Sequence, residues 1–222
     1  MGTTTVTSRA HQGEETRRNI LRLAVDVASK RGLAALTIGE LAKELHMSKS
    51  GLFAHFGSKE DLQIETITAA EMMFGEAIVR PAFEEPPGLA RLASLLEGYI
   101  VRYLEQSVFS GGCFFSAAAA EFDDRPGRVR DRIALSMRKW NEKLESEVRN
   151  GIEAGELDSS IEPAQLAFEL EAITHHANFS RRLMGDERAF VRARNAIYER
   201  LMAVSTPRGR AVLTAIPLQT RQ

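Results

Sequence analysis

The chain has 222 residues, of which 44% are hydrophobic, so it is long enough to bury a core and to form one or two domains. Its 29 lysine and arginine residues are balanced by 30 aspartate and glutamate residues, which argues against a generic binder of polyanions. The single cysteine, Cys113, excludes an intramolecular disulfide framework and favours a cytoplasmic protein, and no apolar run approaches the ~20 residues that span a bilayer.

Helical periodicity runs through the chain, and patterns typical of β-strands are almost absent, so we expect an all-α protein. The first helix is predicted over about residues 15–31, with apolar side chains on one face and Gly32 as its C-terminal stop. Residues 1–13 contain no hydrophobic segment of the kind found in a secretory signal and are expected to be disordered.

Two short helices joined by a tight turn are predicted next. Thr37 is the expected N-cap of the first helix, and Glu40, three residues later, completes a capping box. Ser48 is the N-cap candidate of the second helix. In that second helix, Leu52 and Phe56 lie one turn apart and form a stripe that we expect to be buried.

The side of the second short helix that faces away from this stripe carries small polar, basic and aromatic side chains: Lys49, Ser50, Phe53 and His55. Two crossed helices of this kind fit a helix-turn-helix that lays its second helix in the major groove of DNA. Residues 1–60 carry nine basic and six acidic side chains, against 20 and 24 in the remainder. Only the N-terminal part is therefore electrostatically suited to phosphate.

The stretch LTIGELAKELHMSKSGLFAHFGSKEDL resembles the N-terminal domain of the TetR family of bacterial transcriptional regulators. The likeness covers roughly residues 14–65, and a looser likeness of pattern and length continues to about residue 204. His46 stands where the family usually has the turn glycine, and it must adopt a left-handed or bridge conformation. Ser50-Gly51 replaces a frequent Gly-Thr pair, and Phe53 replaces a tyrosine, so the departures bear on operator identity rather than on DNA binding.

The resemblance implies DNA contacts along this motif. Lys59 and His55 would contact phosphates, while Lys49, Ser50 and Phe53 would lie near base edges or sugars. The alternative is that these side chains are an ordinary solvated surface. The residues expected to bind DNA are Thr37, Ser48, Lys49, Ser50, Phe53, His55 and Lys59.

The next helix is predicted from Ser58 to about Arg80, and it connects the DNA-binding domain to the domain that follows. Further helices are expected at about residues 88–106, 113–122, 127–154, 164–183 and 187–204. The predicted organisation is a helix-turn-helix domain at 14–60, a helical ligand-binding and dimerisation domain at 61–204, and an irregular tail at 205–222.

The resemblance implies that the C-terminal domain encloses a cavity for a small, largely apolar effector. Aromatic side chains at helical spacing are also what a plain hydrophobic core contains, so the sequence leaves both interpretations open. Trp140 and Tyr103 have polar tips that need a partner when buried. The residues expected to bind the ligand are Tyr99, Tyr103, Phe114, Phe122, Trp140, His175, His176 and Phe179.

His175 and His176 do not indicate a metal site. Adjacent side chains on a helix point about 100° apart and cannot chelate one ion together. We therefore predict no metal, and no cofactor is indicated. Cys113 follows two glycines and could lie at a helix N-terminus as a redox sensor, but the neighbouring Phe114 and Phe115 favour a buried structural thiol.

The helix at 164–183 is apolar over more than half of its circumference, which is more than one side of a small bundle needs. Pairing with a second copy would bury this surface, and two recognition helices would read two half-sites. The resemblance agrees, because family members dimerise through their last two helices. The residues expected at the interface are Leu166, Leu170, Ile173, Ala177, Ala193, Ile197 and Leu201.

The sequence thus predicts a homodimeric, ligand-responsive DNA-binding regulator, most simply a repressor. Its predicted partners are double-stranded operator DNA, a small-molecule effector and a second copy, without a membrane. One alternative is a DNA-bound adaptor of the same fold that recruits a partner protein without ligand response. A helical enzyme using Cys113 or His175 is the other alternative. We identify no catalytic constellation for it, so we predict that the protein is not an enzyme.

Overall fold

The structure is a computed structural model that describes residues 4–216, with side-chain surroundings for residues 13–216. Within these residues the protein is all-helical, apart from an isolated β-bridge between Leu157 and Ser205. The predicted all-α class is confirmed.

The helices follow the order expected from the sequence. They are α1 Thr4–Arg31, α2 Ile38–Glu44, α3 Lys49–Phe56, α4 Lys59–Phe74, α5 Leu89–Glu97, α6 Phe114–Phe122, α7 Arg128–Glu153, α8 Pro163–Leu183, α9 Ala189–Val204 and α10 Pro207–Ala215. Helix α4 continues into a π-helical segment, Gly75–Val79, and the short turn Arg80–Ala82. Helix α5 continues into a second π-helical segment, Gly98–Glu105.

The described chain forms two compact units. Unit 1 contains the residues up to Met72 together with residues 109–134, and unit 2 contains residues 73–108 and those from 135 onward. This division differs from the predicted boundaries at 14–60 and 61–204. The helix-turn-helix is part of a larger unit, because α6 packs against α1 and adds a later segment of the chain to it.

The core of unit 1 is built from the apolar faces of its helices. Ile20 and Ala24 of α1, Leu41 of α2, Leu52 of α3 and Leu62 of α4 are each at most 1% exposed. Full burial of a leucine or isoleucine side chain stabilises a fold by roughly 1.5–3 kcal/mol relative to exposure. The two short helices are therefore held by this core rather than by their own helical propensity.

Polar contacts within unit 1 fix the loop between α1 and α2. The backbone N–H of Ala34 donates to the Glu121 carboxylate (2.8 Å), and its carbonyl accepts from Lys59 Nζ (2.6 Å). The carbonyl of Leu33 accepts from Gln63 Nε2 (2.9 Å). Because this loop leads directly into α2, these bonds set where the helix-turn-helix begins.

In unit 2, α8 and α9 pack against each other, and both contact the π-helical segment of α5. Leu166 and Leu170 of α8 and Leu201 of α9 are fully buried in this packing. Helix α10 packs on α5, and Gly209 lies so close to the Glu156 carbonyl that a Cβ at position 209 would stand 1.9 Å from that oxygen.

Both predicted terminal segments need correction. Residues 4–13, expected to be disordered, lie in α1, while residues 1–3 lie outside the described residues. The tail expected to be irregular contains α10, and residues 217–222 lie outside the described residues. Thr206 caps α10 by accepting from Gly209 N–H (3.2 Å), and Pro207 takes the first helical position, so a helix-start signal was present in the sequence.

Candidate DNA-binding and effector sites

Helix α3 exposes the face that the sequence predicted. Leu52 and Phe56 are buried as expected, whereas Phe53 is 54% exposed beside the exposed side chains of Lys49 and Ser50. His55 is half-buried at the far end of the helix. The exposed face is small, polar and basic with one aromatic ring, which suits a duplex groove.

The caps of the helix-turn-helix are those predicted. Thr37 Oγ1 accepts from Glu40 N–H (3.2 Å) and donates to the Glu40 carboxylate (3.1 Å). Ser48 Oγ accepts from Gly51 N–H (3.0 Å) at the start of α3. In the turn, His46 has φ 54°, so the left-handed conformation expected for this non-glycine residue is confirmed.

Arg17 of α1 contacts the C-terminal end of α3 and stabilises its position. Its guanidinium donates to the His55 backbone carbonyl, forms an ion pair with Glu65 of α4, and lies 4.8 Å from the centre of the Phe56 ring. A cation at a helix C-terminus also complements the negative end of the helix dipole. One side chain thus fixes the orientation of α3 relative to α1 and α4.

Two predicted contact lysines are already engaged within unit 1. Lys59 Nζ is bonded to the Ala34 carbonyl, so a phosphate at this site would compete with that oxygen for the ammonium. The stem of Lys49 lies over Gly39 of α2, where an added Cβ would stand 3.3 Å from Lys49 Cε. The absence of a side chain at Gly39 therefore leaves room for Lys49 at the start of the exposed face.

The start of α4 carries a local charge cluster. Ser58 Oγ accepts from Asp61 N–H (3.0 Å) and donates to the Asp61 carboxylate (2.6 Å). This hydrogen bond, together with Arg128 beside it (3.3 Å), lowers the pKa of Asp61 below its ordinary value. Arg128 also pairs with Glu60 (2.9 Å), so one arginine contacts both acidic side chains in the first turn of α4.

Unit 2 gathers five rings into one group, which we call the aromatic cluster: Phe74, Tyr99, Tyr103, Trp140 and His175. Tyr99 stacks with Trp140 (ring centroids 6.0 Å apart) and with His175 (6.5 Å). Phe74 meets Tyr103 and Trp140 edge to face, at 5.0 Å each. Tyr99 and Tyr103 lie in the π-helical segment Gly98–Glu105, and Phe74 directly precedes the π-helical segment Gly75–Val79. Short π-helical segments often mark functional sites.

Polar groups of α8 line the same region of unit 2. The Glu171 carboxylate is buried (9% exposed) and lies 3.7 Å from His175 Nε2. Burial raises the pKa of Glu171, while the charge of His175 and a hydrogen bond with Asn141 act in the opposite direction. Within the described chain, Trp140 Nε1 and Asn178 Oδ1 are buried without a hydrogen-bond partner.

The structure brings together only part of the predicted ligand set. Tyr99, Tyr103, Trp140 and His175 meet in the aromatic cluster, as described above. Phe114 and Phe122 belong to unit 1, where Phe114 packs on Phe109 and Phe122 lies under Arg125. His176 and Phe179 lie on the exposed side of α8, so an inward orientation for these two residues was wrong.

Two family models match this chain. The model described as bacterial regulatory proteins of the tetR family matches residues 20–66. The model described as the C-terminal domain of tetracycline-repressor-like proteins matches residues 88–197. The chain belongs to the TetR family. TetR proteins are non-enzymatic DNA-binding transcription factors, typically repressors with a C-terminal ligand-binding domain, so the predicted lack of catalysis is confirmed.

Curated TetR relatives match over parts of their length. The transcriptional regulator AcrR of Shigella flexneri is 32% identical over 65 residues, which is 29% of this chain and 30% of AcrR. The transcriptional repressor NicS of Pseudomonas putida is 33% identical over 100 residues, which is 44% of this chain and 47% of NicS. The chain thus spans about a third to a half of these relatives.

Several solved structures share the fold over most of the chain. A regulator from Chloroflexus aurantiacus has a TM-score of 0.77 at 22% identity, covering 88% of this chain and 98% of that one. A regulator from Saccharomonospora viridis in complex with choline has a TM-score of 0.74 at 19% identity, covering 87% and 99%. AibR in complex with isovaleryl coenzyme A and operator DNA has a TM-score of 0.59 at 21% identity, covering 72% and 83%.

Two structural features are absent from the described residues: a membrane-spanning helix and a cluster of metal ligands. No helix among residues 4–216 is long and apolar enough to cross a membrane. The same part of the TetR chain holds no group of three or more histidine, cysteine, aspartate or glutamate side chains placed to bind a metal ion.

Most of the predicted interface residues of this TetR protein face its own core. Leu166, Leu170, Ala177, Ala193, Ile197 and Leu201 are at most 6% exposed, and Ile173 is intermediate. Leu166, Leu170 and Leu201 are fully buried within one chain, whereas Ile173, Ala177 and Ala193 line a surface groove between α8 and α9, so a role in dimerisation stays a prediction for the second group. The hydrophobic excess of α8 was identified correctly, but its most apolar side packs against α9 and α5 within one chain.

A different row of α8 is exposed, and we call it the outer stripe: Phe168, Ala172, Phe179 and Leu183. Phe168 is 66%, Phe179 50% and Leu183 72% exposed, at helical spacings that place them on one side. Beside the stripe, a groove of about 580 Å³ runs between α8 and α9. Its lining combines alanines, including Ala172, Ala189 and Ala196, with larger side chains such as Met184 and Arg192.

Cys113 has a structural position in unit 1. It is buried, and its Sγ accepts from the backbone N–H of Ser116 (3.4 Å) as the N-cap of α6. This supports the interpretation of a structural thiol over that of a sensor.

Two residues of the effector region were missed or misjudged by sequence reasoning. Phe74 was assigned only to the connecting helix, although it contacts three other rings of the cluster. Glu171 was not among the residues expected to bind the ligand. Its signal was available in the sequence, because a single acidic side chain on the inward face of an apolar helix requires a partner.

Proposed function

We propose that this TetR protein is a homodimeric repressor that binds a roughly palindromic operator through α3 and releases it when a small molecule occupies unit 2. The observation that carries the proposal is the exposed face of α3, with Lys49, Ser50 and Phe53 outward above a buried stripe. Acting on DNA in this way places the protein in the bacterial cytoplasm.

The proposed contacts divide into two classes. Lys59, His55 and the N-terminus of α2 at Thr37 would bind phosphates and supply most of the affinity, with a strong dependence on salt. Ser48, Lys49, Ser50 and Phe53 would lie in the groove, where lysine can donate to guanine and an aromatic edge can meet a thymine methyl group.

Dimerisation is proposed through the outer stripe and the groove between α8 and α9. A stripe with three large exposed apolar side chains is costly in water, and a second copy would bury it symmetrically. The groove, lined in part by alanines, offers space for the large side chains of the partner copy's stripe. Pairing would present two recognition helices to two half-sites.

Release from DNA is proposed to be a linkage effect. The chain passes from unit 1 into unit 2 between Met72 and Met73, inside α4 and not in a loop. An effector that prefers a dimer geometry in which the recognition helices no longer match successive grooves would weaken DNA binding. A coupling of about 1–3 kcal/mol corresponds to a 5–150-fold loss of operator affinity.

Selection of bound DNA from a random pool tests the proposal. The expected product is an inverted repeat whose half-site centres are separated by about one helical turn or a multiple of it. A selected site should bind in a gel-shift titration, and Lys59→Ala should weaken binding to all sequences and flatten the salt slope. Recovery of no enriched sequence, or of one without two-fold symmetry, would contradict a dimeric operator-binding protein.

A further inference from the structure

The Glu171 carboxylate in unit 2 is buried without a permanent cation beside it. Its contacts are His175, at 3.7 Å, and the side chain of Asn141. Among the described residues, no lysine or arginine pairs with it. A buried ionised carboxylate is costly unless a cation or several donors compensate for it, and a histidine carries charge only when protonated.

Aromatic rings lie next to both contacts of this carboxylate. His175 stacks on Tyr99, Tyr99 stacks on Trp140, and Asn141, the other contact of Glu171, directly follows Trp140 in α7. The faces of aromatic rings attract cations, and tryptophan and tyrosine do so most strongly. The carboxylate would attract a cation by its charge, and the rings beside its two contacts would attract a cation by their faces.

A second polar side chain on the same side of α8 has a buried atom without a hydrogen-bond partner in the described chain. Asn178 lies seven residues after Glu171, so the two side chains share one face of the helix. Asn178 as a whole is 9% exposed, and its Oδ1 atom is buried without a hydrogen-bond partner in the described chain. A ligand with one donor group in addition to its charge would satisfy this amide.

We propose that the effector of this protein is an organic cation, an ammonium compound with apolar substituents, held by Glu171 and the faces of Tyr99 and Trp140. The inference rests on the proposed function, because it names the chemical class of the effector that unit 2 would bind. It replaces the largely apolar effector expected from the sequence. Since the rings touch one another in this structure, binding requires them to separate, which gives the ligand a way to act on the helices that carry them.

Trp140 is the chain's single tryptophan, so its fluorescence reports directly on the site. The experiment titrates the full-length protein with phenyltrimethylammonium and, separately, with tert-butylbenzene, which has the same shape without the charge. Saturable quenching is expected with the cation, and binding of the uncharged compound should be at least roughly tenfold weaker. Equal affinity for the two compounds, or no saturable change with the cation, overturns the proposal.

Matched variants separate the charge from the fold. Glu171→Gln preserves the shape of the side chain and removes its charge. It should weaken the binding of phenyltrimethylammonium at least roughly tenfold, and the binding of tert-butylbenzene should not change. Glu169→Gln, on the same helix but paired with Arg200 at the surface, should change neither. Tyr99→Leu should also weaken the binding of phenyltrimethylammonium. This variant becomes the test if circular dichroism shows that Glu171→Gln is misfolded. Unchanged cation affinity in the folded variant contradicts the assignment.

This outcome is independent of the DNA experiment. A protein that selects a palindromic operator but does not prefer the cation over its uncharged counterpart retains the proposed function and loses this inference. A protein that prefers the cation but selects no DNA loses the proposed function.

Discussion

Arg17 joins three elements of unit 1 through one side chain. Its guanidinium contacts the last turn of α3 at the His55 carbonyl, the Glu65 carboxylate and the Phe56 ring. Sequence reasoning gave Arg17 only a place in the basic N-terminal region, because a contact between residues 38 positions apart is not visible in local periodicity. The helix caps at Thr37 and Ser48, in contrast, depend on residues only three positions apart, so they could be predicted from the sequence.

Arg17→Ala should lower the free energy of unfolding by about 1 kcal/mol, a value that allows for the one-third exposure of the ion pair. The measurement is urea unfolding followed by circular dichroism. Arg80→Ala is the control, because the ion pair of Arg80 with Glu76 is exposed on both sides and should contribute less. Equal losses in the two variants would show that Arg17 is an ordinary surface residue.

Glu171 gives a pH dependence of known sign. Burial raises its pKa above the ordinary value of 4.5, so the native protein keeps a proton that the unfolded chain has lost. The stability of the native protein therefore falls as pH rises from about 4.5 through the raised pKa. Glu171→Gln lacks this group, so its free energy of unfolding should rise relative to the parent over that window, as measured by urea unfolding at a series of pH values.

Glu169→Gln should show the opposite trend. Hydrogen bonds from Arg200 and Gln165 lower the pKa of Glu169, so the parent gains stability as pH rises past the lowered pKa toward the ordinary value of 4.5. The variant should therefore lose stability relative to the parent as pH rises. Two variants with the same trend would contradict the assignment of burial as the cause at Glu171.

At the scale of elements, the helices were predictable because their start and stop signals are local. The caps Thr37 and Ser48, and the stop at Gly32, all act within a few residues. What the sequence did not show is which face of α8 meets which neighbour. Leu170 and Phe168 are both apolar residues of one helix, yet one is buried and the other is 66% exposed. Only the packing of α9 and α5 distinguishes them.

The aromatic cluster illustrates the same limit. Aromatic residues were correctly singled out at Tyr99, Tyr103 and Trp140, but membership depended on which unit each helix joined. Phe114 was excluded because α6 packs in unit 1. Phe74 was included because α4 brings it to unit 2. Tertiary assignment of this kind needs long-range contacts that one sequence does not reveal.

A close approach of two backbones fixes the segment before α6. At Gly111 an added Cβ would lie 1.9 Å from the Ser29 carbonyl oxygen of α1. That oxygen belongs to the backbone of a helix and cannot move aside as a flexible side chain could. Gly111→Ala should therefore destabilise unit 1 by about 1–3 kcal/mol, as measured by thermal or urea unfolding.

Gly13→Ala is the matched control for that variant. Gly13 lies in α1, in the same unit, and an added Cβ there meets nothing within 4 Å. Alanine has a higher helix propensity, so this variant should be neutral or up to about 1 kcal/mol more stable than the parent. A Gly111→Ala variant as stable as the Gly13→Ala variant would show that the loop moves away from α1 without cost.

At the scale of the whole molecule, the proposed dimer depends on the outer stripe and on the groove beside it, which is lined by Ile173, Ala177 and Ala193 of the residues expected from the sequence. Phe179→Glu places a charge in the centre of the stripe and should convert dimers to monomers in analytical ultracentrifugation, with the affinity for a palindromic site falling in parallel. Leu170→Glu would instead unfold unit 2, since Leu170 is fully buried within its own chain.

Leu135→Glu is the control for the dimer experiment. Leu135 is a comparable exposed apolar residue of unit 2, 41% exposed on α7, and lies outside the stripe. It should leave the sedimentation of the protein unchanged. A Phe179→Glu variant that sediments as a dimer would place the interface on another surface.

The discontinuity of unit 1 along the chain limits how its DNA-reading part can be handled as a separate piece. A fragment ending after the helix-turn-helix, near residue 60, would lose Gln63 and Glu121, and with them two of the bonds that hold Leu33 and Ala34 ahead of α2. It would also lose α6 from the side of α1. A transfer of the operator specificity of this protein to another regulator therefore has to include residues 109–134 together with residues 4–72.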